Sequence, residues 1–141
     1  MVKFFLKTGD PEVSEEFTPY LWGKQGLGAF IDAYVNTGRY GAGVKLLLLQ
    51  VYVEGRFEVH GPPHVTVGNY SKVREETSAA FTIRREDFQD QSDQQRKDLL
   101  SAMVCQAVAE VQRKQAPKAP QYDFQALLES VVIATEKYRC G

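Results

Sequence analysis

The chain has 141 residues, of which 43% are hydrophobic and 25% charged, and its formal net charge is −1 at pH 7. This composition is typical of a globular protein, and we expect a single domain over residues 1–141. Because 17 basic side chains are balanced by 18 acidic ones, the composition argues against a nucleic-acid-binding protein, which needs a basic surface to displace phosphate counterions.

The N-terminal segment predicts a strand followed by irregular structure. Val2–Lys7 is strand-like, and the sequence TGDP at residues 8–11 is a strong turn signal. Residues 12–16 are acidic, and we expect them in an exposed loop. Pro19 lacks the N–H that a central strand donates, so we interpret the aromatic residues 17–22 as an edge strand or an extended loop.

Residues 27–43 carry two conflicting patterns. Phe30, Ile31, Tyr34 and Val35 recur at helical spacing, which favours a short helix that ends at residues 36–38. The aromatic and β-branched residues and the many glycines of this segment would also suit a strand. We favour the helix and leave the strand open.

The sequence VKLLLLQVYV at residues 44–53 predicts the central strand of the protein. Nearly every position is apolar, β-branched or aromatic, and polar residues do not alternate with apolar ones as they do in a strand with one wet face. We therefore expect this strand to be covered on both faces.

Three further strands are predicted after the central one. A two-residue turn at Glu54-Gly55 leads into a strand over residues 56–60, in which Phe57 and Val59 face the same side. A strand follows over residues 64–73, with a possible bulge at Gly68-Asn69, and another over residues 79–85. Successive strands joined by short turns indicate an antiparallel meander.

The C-terminal third predicts two helices. Ser92 or Asp93 can cap a helix that runs to about Gln115, and Pro117 and Pro120 then interrupt the helical pattern. Asp123 begins the last helix, and both helices carry an apolar stripe. The predicted fold class is α+β: an antiparallel β-sheet, a meander of about four to five strands, with the two C-terminal helices packed on one face.

The residue types that carry catalysis or metal binding do not form a recognisable set. His60 and His64 flank Gly61-Pro62-Pro63, and a metal site would need a third or fourth ligand that the sequence does not mark. The sequence GKQGLG at residues 23–28 matches neither phosphate-binding glycine motif, so we expect a flexible loop there. We predict no catalytic residue, no metal and no cofactor.

The cysteines and the N-terminus bear on location. Cys105 lies on an apolar helix stripe and Cys140 near the end of the chain, so we expect two free thiols and a reducing compartment. The apolar core after Lys3 is three residues long, whereas a secretory signal needs about 7–15. No segment approaches the roughly 18 apolar residues of a membrane span. We predict a soluble, cytoplasmic protein with no membrane partner.

Acidic and aromatic residues are the candidates for partner binding. Asp10, Glu12, Glu15 and Glu16 lie within seven positions and would attract a basic partner, although a solvated loop would have the same composition. Tyr20 and Trp22 flank Leu21, and Arg39 precedes Tyr40; aromatic residues of this kind anchor interfaces when they are not in the core. The predicted partner-binding residues are Glu12, Glu15, Glu16, Tyr20, Trp22, Arg39 and Tyr40.

In its size, its strands-then-helices order and its lack of a catalytic motif, the chain resembles the immunity proteins that bacteria pair with polymorphic or contact-dependent growth inhibition toxins. This resemblance implies a cytoplasmic antitoxin without enzymatic activity. It would bind a cognate protein toxin and occlude the toxin's active site or substrate surface.

Two alternatives from other classes stay open. The chain could be a small-molecule-binding domain or an enzyme whose cavity lies between sheet and helices, with His60, His64 and Tyr70 as its polar groups. It could also be a structural subunit of a larger assembly that docks through residues 17–22.

Overall fold

The computed structural model describes residues 1–54 and 60–141 and shows a mixed sheet with helices on one side. The described strands are β1 (Val2–Lys7), β2 (Leu46–Glu54), β3 (Thr66–Val67) and β4 (Glu76–Arg84). The described helices are α1 (Pro11–Leu21), α2 (Leu27–Tyr34), α3 (Glu86–Gln89), α4 (Asp93–Gln115) and α5 (Phe124–Cys140).

The sheet is mostly parallel, so the predicted antiparallel meander is wrong. Its strand order is β1-β2-β4-β3, and β2 pairs in parallel with both β1 and β4. Of the described strands, only β3 runs antiparallel to its neighbour, β4. Parallel neighbours need a long crossover connection. Helices α1 and α2 supply it between β1 and β2, in a segment where the sequence analysis placed loops and only one helix.

The central position of the apolar run is confirmed, but its two faces are covered to different extents. Leu47, Leu49, Val51 and Val53 are buried in the core beneath the helices, whereas the alternate residues of β2 are only half-buried. In the described part of the chain, no helix lies on that second face, which we call the open face. Residues 60–63 cross one end of it. A Cβ on Gly61 would lie 2.5 Å from the Tyr52 Cβ, so only glycine allows this close approach.

The individual strands of the predicted meander agree with the structure to different extents. β1 is confirmed over Val2–Lys7. The predicted turn and strand at residues 54–60 lie almost entirely outside the described residues, and His60 is not in a strand. The strand predicted over residues 64–73 is reduced to β3, and β4 begins at Glu76, three residues before the predicted start.

The loop and edge strand predicted for residues 12–22 are wrong, because this segment forms α1. Asp10 caps the helix by accepting a hydrogen bond from the Glu12 N–H at 3.0 Å, and Pro11 occupies the first turn, where its missing N–H costs nothing. Pro19 lies near the helix end. Val13, Phe17 and Leu21 are fully buried at a spacing of four residues, which is the helical signal that the sequence analysis missed.

The remaining helices follow their sequence signals. The helix favoured over the strand at residues 27–43 is confirmed as α2. Ser92 and Gln95 form a reciprocal capping box at the start of α4, and Asp123 caps α5 through the Ala126 N–H. Helix α5 packs between α2 and α4. Among the described residues, no helix combines the length and the apolarity that crossing a membrane requires.

Removing a core side chain should test the buried face of the sheet. Phe81, on β4, is fully buried, so we expect Phe81→Ala to lower the free energy of unfolding in urea by about 3–5 kcal/mol. Phe5, on β1, is 51% exposed, and Phe5→Ala should cost less than about 1 kcal/mol. Equal losses for the two variants would contradict the assignment of core and open faces.

A buried tyrosine predicts loss of stability at alkaline pH. Burial raises the pKa of Tyr122 to about 12, with a smaller contribution from the nearby Tyr40. The pKa of a tyrosine in the unfolded chain is about 10. The stabilisation is therefore complete below about pH 10 and is lost as the pH rises towards about 12, because the unfolded state releases its proton first.

The free energy of unfolding, measured in urea at about pH 8 and about pH 11, checks this prediction. Its decrease between the two pH values should be smaller in Tyr122→Phe than in the wild type. Tyr34 is 43% exposed, so Tyr34→Phe should leave the decrease unchanged. A Tyr122→Phe variant with the wild-type decrease would refute the assignment.

Candidate protein-binding site

The predicted acidic surface is largely neutralised within the fold. Arg85 lies 3.9 Å from Asp10, 3.9 Å from Glu12 and 3.6 Å from Glu16, and Arg96 lies 3.7 Å from Glu16. The Glu16 side chain is only 17% exposed. These ion pairs connect α1 to the start of α3 and to α4. Of the predicted acids, Glu15 is exposed and has no ion pair in the described part of the chain.

Tyr20 contributes to the same contact between helices. Its hydroxyl donates to Asp93 Oδ1 at 2.8 Å, and its ring packs edge-on against Phe88 at 5.2 Å. The guanidinium of Arg96 lies 4.8 Å from the Phe88 ring centroid and 5.7 Å from that of Tyr20. Tyr20 is therefore committed to holding α1, α3 and α4 together, and it offers little to a partner.

Arg39 and Tyr40 lie far from the other predicted residues. The Tyr40 hydroxyl donates to the Val35 carbonyl at 2.8 Å, and the Tyr40 carbonyl accepts from the Asp123 N–H, which precedes α5. At the other end of α5, the Tyr138 hydroxyl donates to the Tyr20 carbonyl. A helix of 17 residues is about 25 Å long, so the structure does not bring the seven predicted residues together.

The polar groups of the cavity alternative also lie apart. His64 precedes β3, whose Thr66 pairs with Ala80, whereas the Tyr70 hydroxyl donates to the Gly43 carbonyl at 2.7 Å, near the start of β2. His60 and His64 are both exposed. Within residues 1–54 and 60–141, the structure contains no group of three or more His, Cys, Asp or Glu side chains that could hold a metal ion.

Of the three predicted aromatic residues, Trp22 is the one that remains available to a partner. It follows the last turn of α1, where its N–H donates to the Thr18 carbonyl, and its side chain is 39% exposed. It lines a groove of about 330 Å³ between β1 and α2, together with Val2, Phe4 and Gly28. A tight turn brings Gly26, just before α2, against the backbone of Trp22. A Cβ at this position would clash with that backbone, so the turn requires glycine.

The groove borders the free edge of the sheet. The Leu47 N–H donates to the Met1 carbonyl at 2.8 Å. Bonding residues alternate along a parallel strand, so the backbone groups of Val2, Phe4 and Leu6 point away from β2. Those of Val2 are satisfied by the Asn36 side chain, which accepts from the Val2 N–H at 2.7 Å and donates to the Val2 carbonyl at 3.1 Å.

Beyond Val2, the outer edge of β1 is open. In the chain as described, the outward N–H and C=O groups of Phe4 and Leu6 have no hydrogen-bond partner. The opposite edge differs: β3 has two residues, and Gln115 of α4 donates to the Gly68 carbonyl beside it at 2.7 Å. The fold therefore protects one edge of the sheet and leaves the other accessible.

The side chains next to this edge suit contact with a protein. On the open face Phe5 is 51% exposed, and Lys3 is exposed beside it. The Lys7 ammonium lies 5.6 Å from the Phe5 ring centroid and 5.3 Å from that of Tyr52. We refer to Phe4 and Leu6 with Lys3, Phe5, Lys7 and Trp22 as the β1 edge. Unpaired backbone groups, aromatic rings and cations together can bind a peptide chain.

Sequence reasoning missed most of this site, although one signal was present. Lysines on one face of a strand, as at Lys3 and Lys7, are a common feature of sheet edges, where they prevent uncontrolled pairing. The comparisons with known proteins add no information about this surface: no protein-family model, no curated protein and no solved structure matches the chain.

Paired substitutions should show that the acidic cluster is structural. Glu16→Gln leaves Arg85 and Arg96 without their shared carboxylate in a partly buried site, and we expect it to lower the free energy of unfolding by about 1–3 kcal/mol. The Glu12 side chain is 73% exposed, so Glu12→Gln should change it by at most about 0.5 kcal/mol. Urea unfolding of both variants checks this. Losses of similar size would mean that the cluster is solvated.

Proposed function

We propose that the protein is a protein-binding inhibitor that neutralises a cognate bacterial toxin in the cytoplasm by occluding its active site or substrate surface. The observation that carries the binding function is the β1 edge, where unpaired backbone groups lie between two exposed aromatic side chains, Phe5 and Trp22. Exposed edge strands are templates for pairing with another chain, and aromatic residues dominate the energetics of interfaces.

The proposed binding surface is the β1 edge and not the acidic cluster of α1 that the sequence analysis favoured. Glu12, Glu16 and Tyr20 are engaged in contacts between helices, and a partner that used them would have to break those contacts. Trp22 and Phe5 need no such rearrangement, because their exposed surface is already free. The β1 edge therefore offers a partner more contact at a lower energetic cost than the acidic cluster does.

The toxin and the compartment rest on different grounds from the binding surface. The toxin is inferred from the resemblance to immunity proteins. The cytoplasm is inferred from Cys105 and Cys140, which are both free thiols in the structure, as is usual in a reducing compartment.

Capture from a lysate of the source organism tests the proposal. The bait proteins are the wild type, a Phe5→Asp/Trp22→Ala double variant, and an Ile133→Asp control, whose substituted residue is 47% exposed on α5. Bound proteins are identified by mass spectrometry. We expect one stoichiometric protein with the wild type and with the control, and at least a tenfold smaller amount with the double variant. Thermal unfolding of the free proteins should show that all three are folded.

Inhibition requires a second measurement. Expression of the captured protein alone should stop the growth of a bacterial host, and co-expression of this chain should restore growth, whereas co-expression of the double variant should not. A captured protein that is harmless, or that remains toxic beside the wild-type chain, would exclude the inhibitor. Equal capture by the double variant and by the wild type would exclude the β1 edge as the binding surface.

A further inference from the structure

The open face beside β1 has a regular pattern of charge. Lys3, Phe5 and Lys7 alternate with Phe4 and Leu6, so the cationic and aromatic side chains share one face of the strand. Their neighbours on β2 are uncharged, because Lys3 pairs with Leu48, Phe5 with Gln50 and Lys7 with Tyr52. Within the described residues, neither lysine forms an ion pair. Among the described residues, no ion pair therefore neutralises the positive charge at this edge.

Resting on the protein-binding function proposed above, we propose that the partner binds as an extended segment that adds a fifth strand to the sheet at β1. This segment has acidic side chains at two positions four residues apart, opposite Lys3 and Lys7, with an apolar side chain between them opposite Phe5. Its backbone bonds to the free groups of Phe4 and Leu6, which fixes its length at about five residues. Opposite charges and apolar pairs across neighbouring strands stabilise such an arrangement.

A second copy of this chain does not fit the same edge. Antiparallel pairing of β1 with itself around Phe5 would use the free groups of Phe4 and Leu6 and keep the bonds between Asn36 and Val2. It would also place Lys3 of each copy opposite Lys7 of the other. Like charges directly opposite one another destabilise a strand pair. The pattern therefore favours a different, acidic segment over self-association.

The groove on the other side of the edge limits the size of the remaining side chains of the segment. Residues that alternate with the acidic positions would face Trp22 and Ala29, which line the groove together with Phe4. The groove has a volume of about 330 Å³, enough for small branched side chains such as valine. Asn36 already occupies the position beside Val2, so the added strand ends there.

A synthetic peptide of this pattern, Thr-Glu-Val-Leu-Val-Glu-Thr with blocked ends, tests the inference without the natural partner. It is titrated into the isotope-labelled full chain and followed by NMR. We expect chemical-shift changes centred on β1 and slower hydrogen exchange at the Phe4 and Leu6 amides, which have no bond in the free protein. A peptide with lysine in place of both glutamates should bind at least tenfold more weakly.

Charge reversal on the protein should invert this preference. Lys3→Glu/Lys7→Glu is expected to bind the lysine peptide more tightly than the glutamate peptide. The matched control, Lys118→Glu/Lys137→Glu, changes two exposed lysines elsewhere and should keep the wild-type preference. If the control loses the preference to the same extent, the attraction is a general effect of net charge and the proposed register is wrong.

Backbone methylation of the peptide separates strand addition from contact through side chains alone. In antiparallel pairing the amides of the two valines bond to β1, and in parallel pairing the amides on the other side of the peptide do so. N-methylation of one set should abolish binding and that of the other should not. If both methylated peptides bind like the parent, or if the parent peptide leaves the Phe4 and Leu6 amides unprotected at saturation or at millimolar concentration, strand addition is excluded.

The natural partner distinguishes this inference from the function on which it rests. Loss of capture with both Phe5→Asp/Trp22→Ala and Lys3→Glu/Lys7→Glu supports the function and the strand. Capture that survives Lys3→Glu/Lys7→Glu but not Phe5→Asp/Trp22→Ala supports a protein-binding function and overturns the acidic strand.

Discussion

The parallel pairing of β2 with both of its neighbours is the constraint on which the rest of the structure depends. Parallel strands cannot be joined by a tight turn, so the chain must leave the sheet after β1 and return through α1 and α2. Both crossover helices and α4 then lie on one face, where Leu47, Leu49, Val51 and Val53 are buried. The same choice leaves the second face without a covering helix among the described elements and leaves β1 at the edge.

Most of the acidic side chains that the sequence analysis assigned to partner binding form ion pairs between packed helices. Arg85 and Arg96 meet the carboxylates of α1, and Arg96 also donates to the carbonyls of Phe88 and Gln89 at 2.9 and 2.6 Å. A cation surrounded by such partners is fixed in place and is worth more to orientation than to net stability. The consequence for function is that Glu16 is not available to a partner, whereas Lys3 and Lys7 form no ion pair in the described part of the chain.

The two edges of the sheet differ in how far their backbone groups are paired or covered. At β3 the strand is short, and Gln115 covers its end. At β1 Asn36 imitates the backbone of a further strand, but only at Val2. An amide side chain carries one donor group and one acceptor, so it can complete one residue of a ladder and no more. The remaining length of β1 is an incomplete sheet, and an acidic extended segment would complete it.

Local signals in the sequence predicted β1, the central position of β2 and the capped helices α4 and α5, and they favoured the helix at α2 while leaving a strand open. Strand direction was not determined, because parallel and antiparallel neighbours demand similar residues. The unbroken apolar run of β2, typical of parallel sheets, was the one available indication. Helix α1 was missed because Pro19 outweighed the spacing of Val13, Phe17 and Leu21. The open edge of β1, in contrast, arises only in the tertiary structure. Which acids are neutralised and which backbone groups stay unpaired depends on residues that lie far apart in the chain, such as Glu16 with Arg85 and Val2 with Asn36.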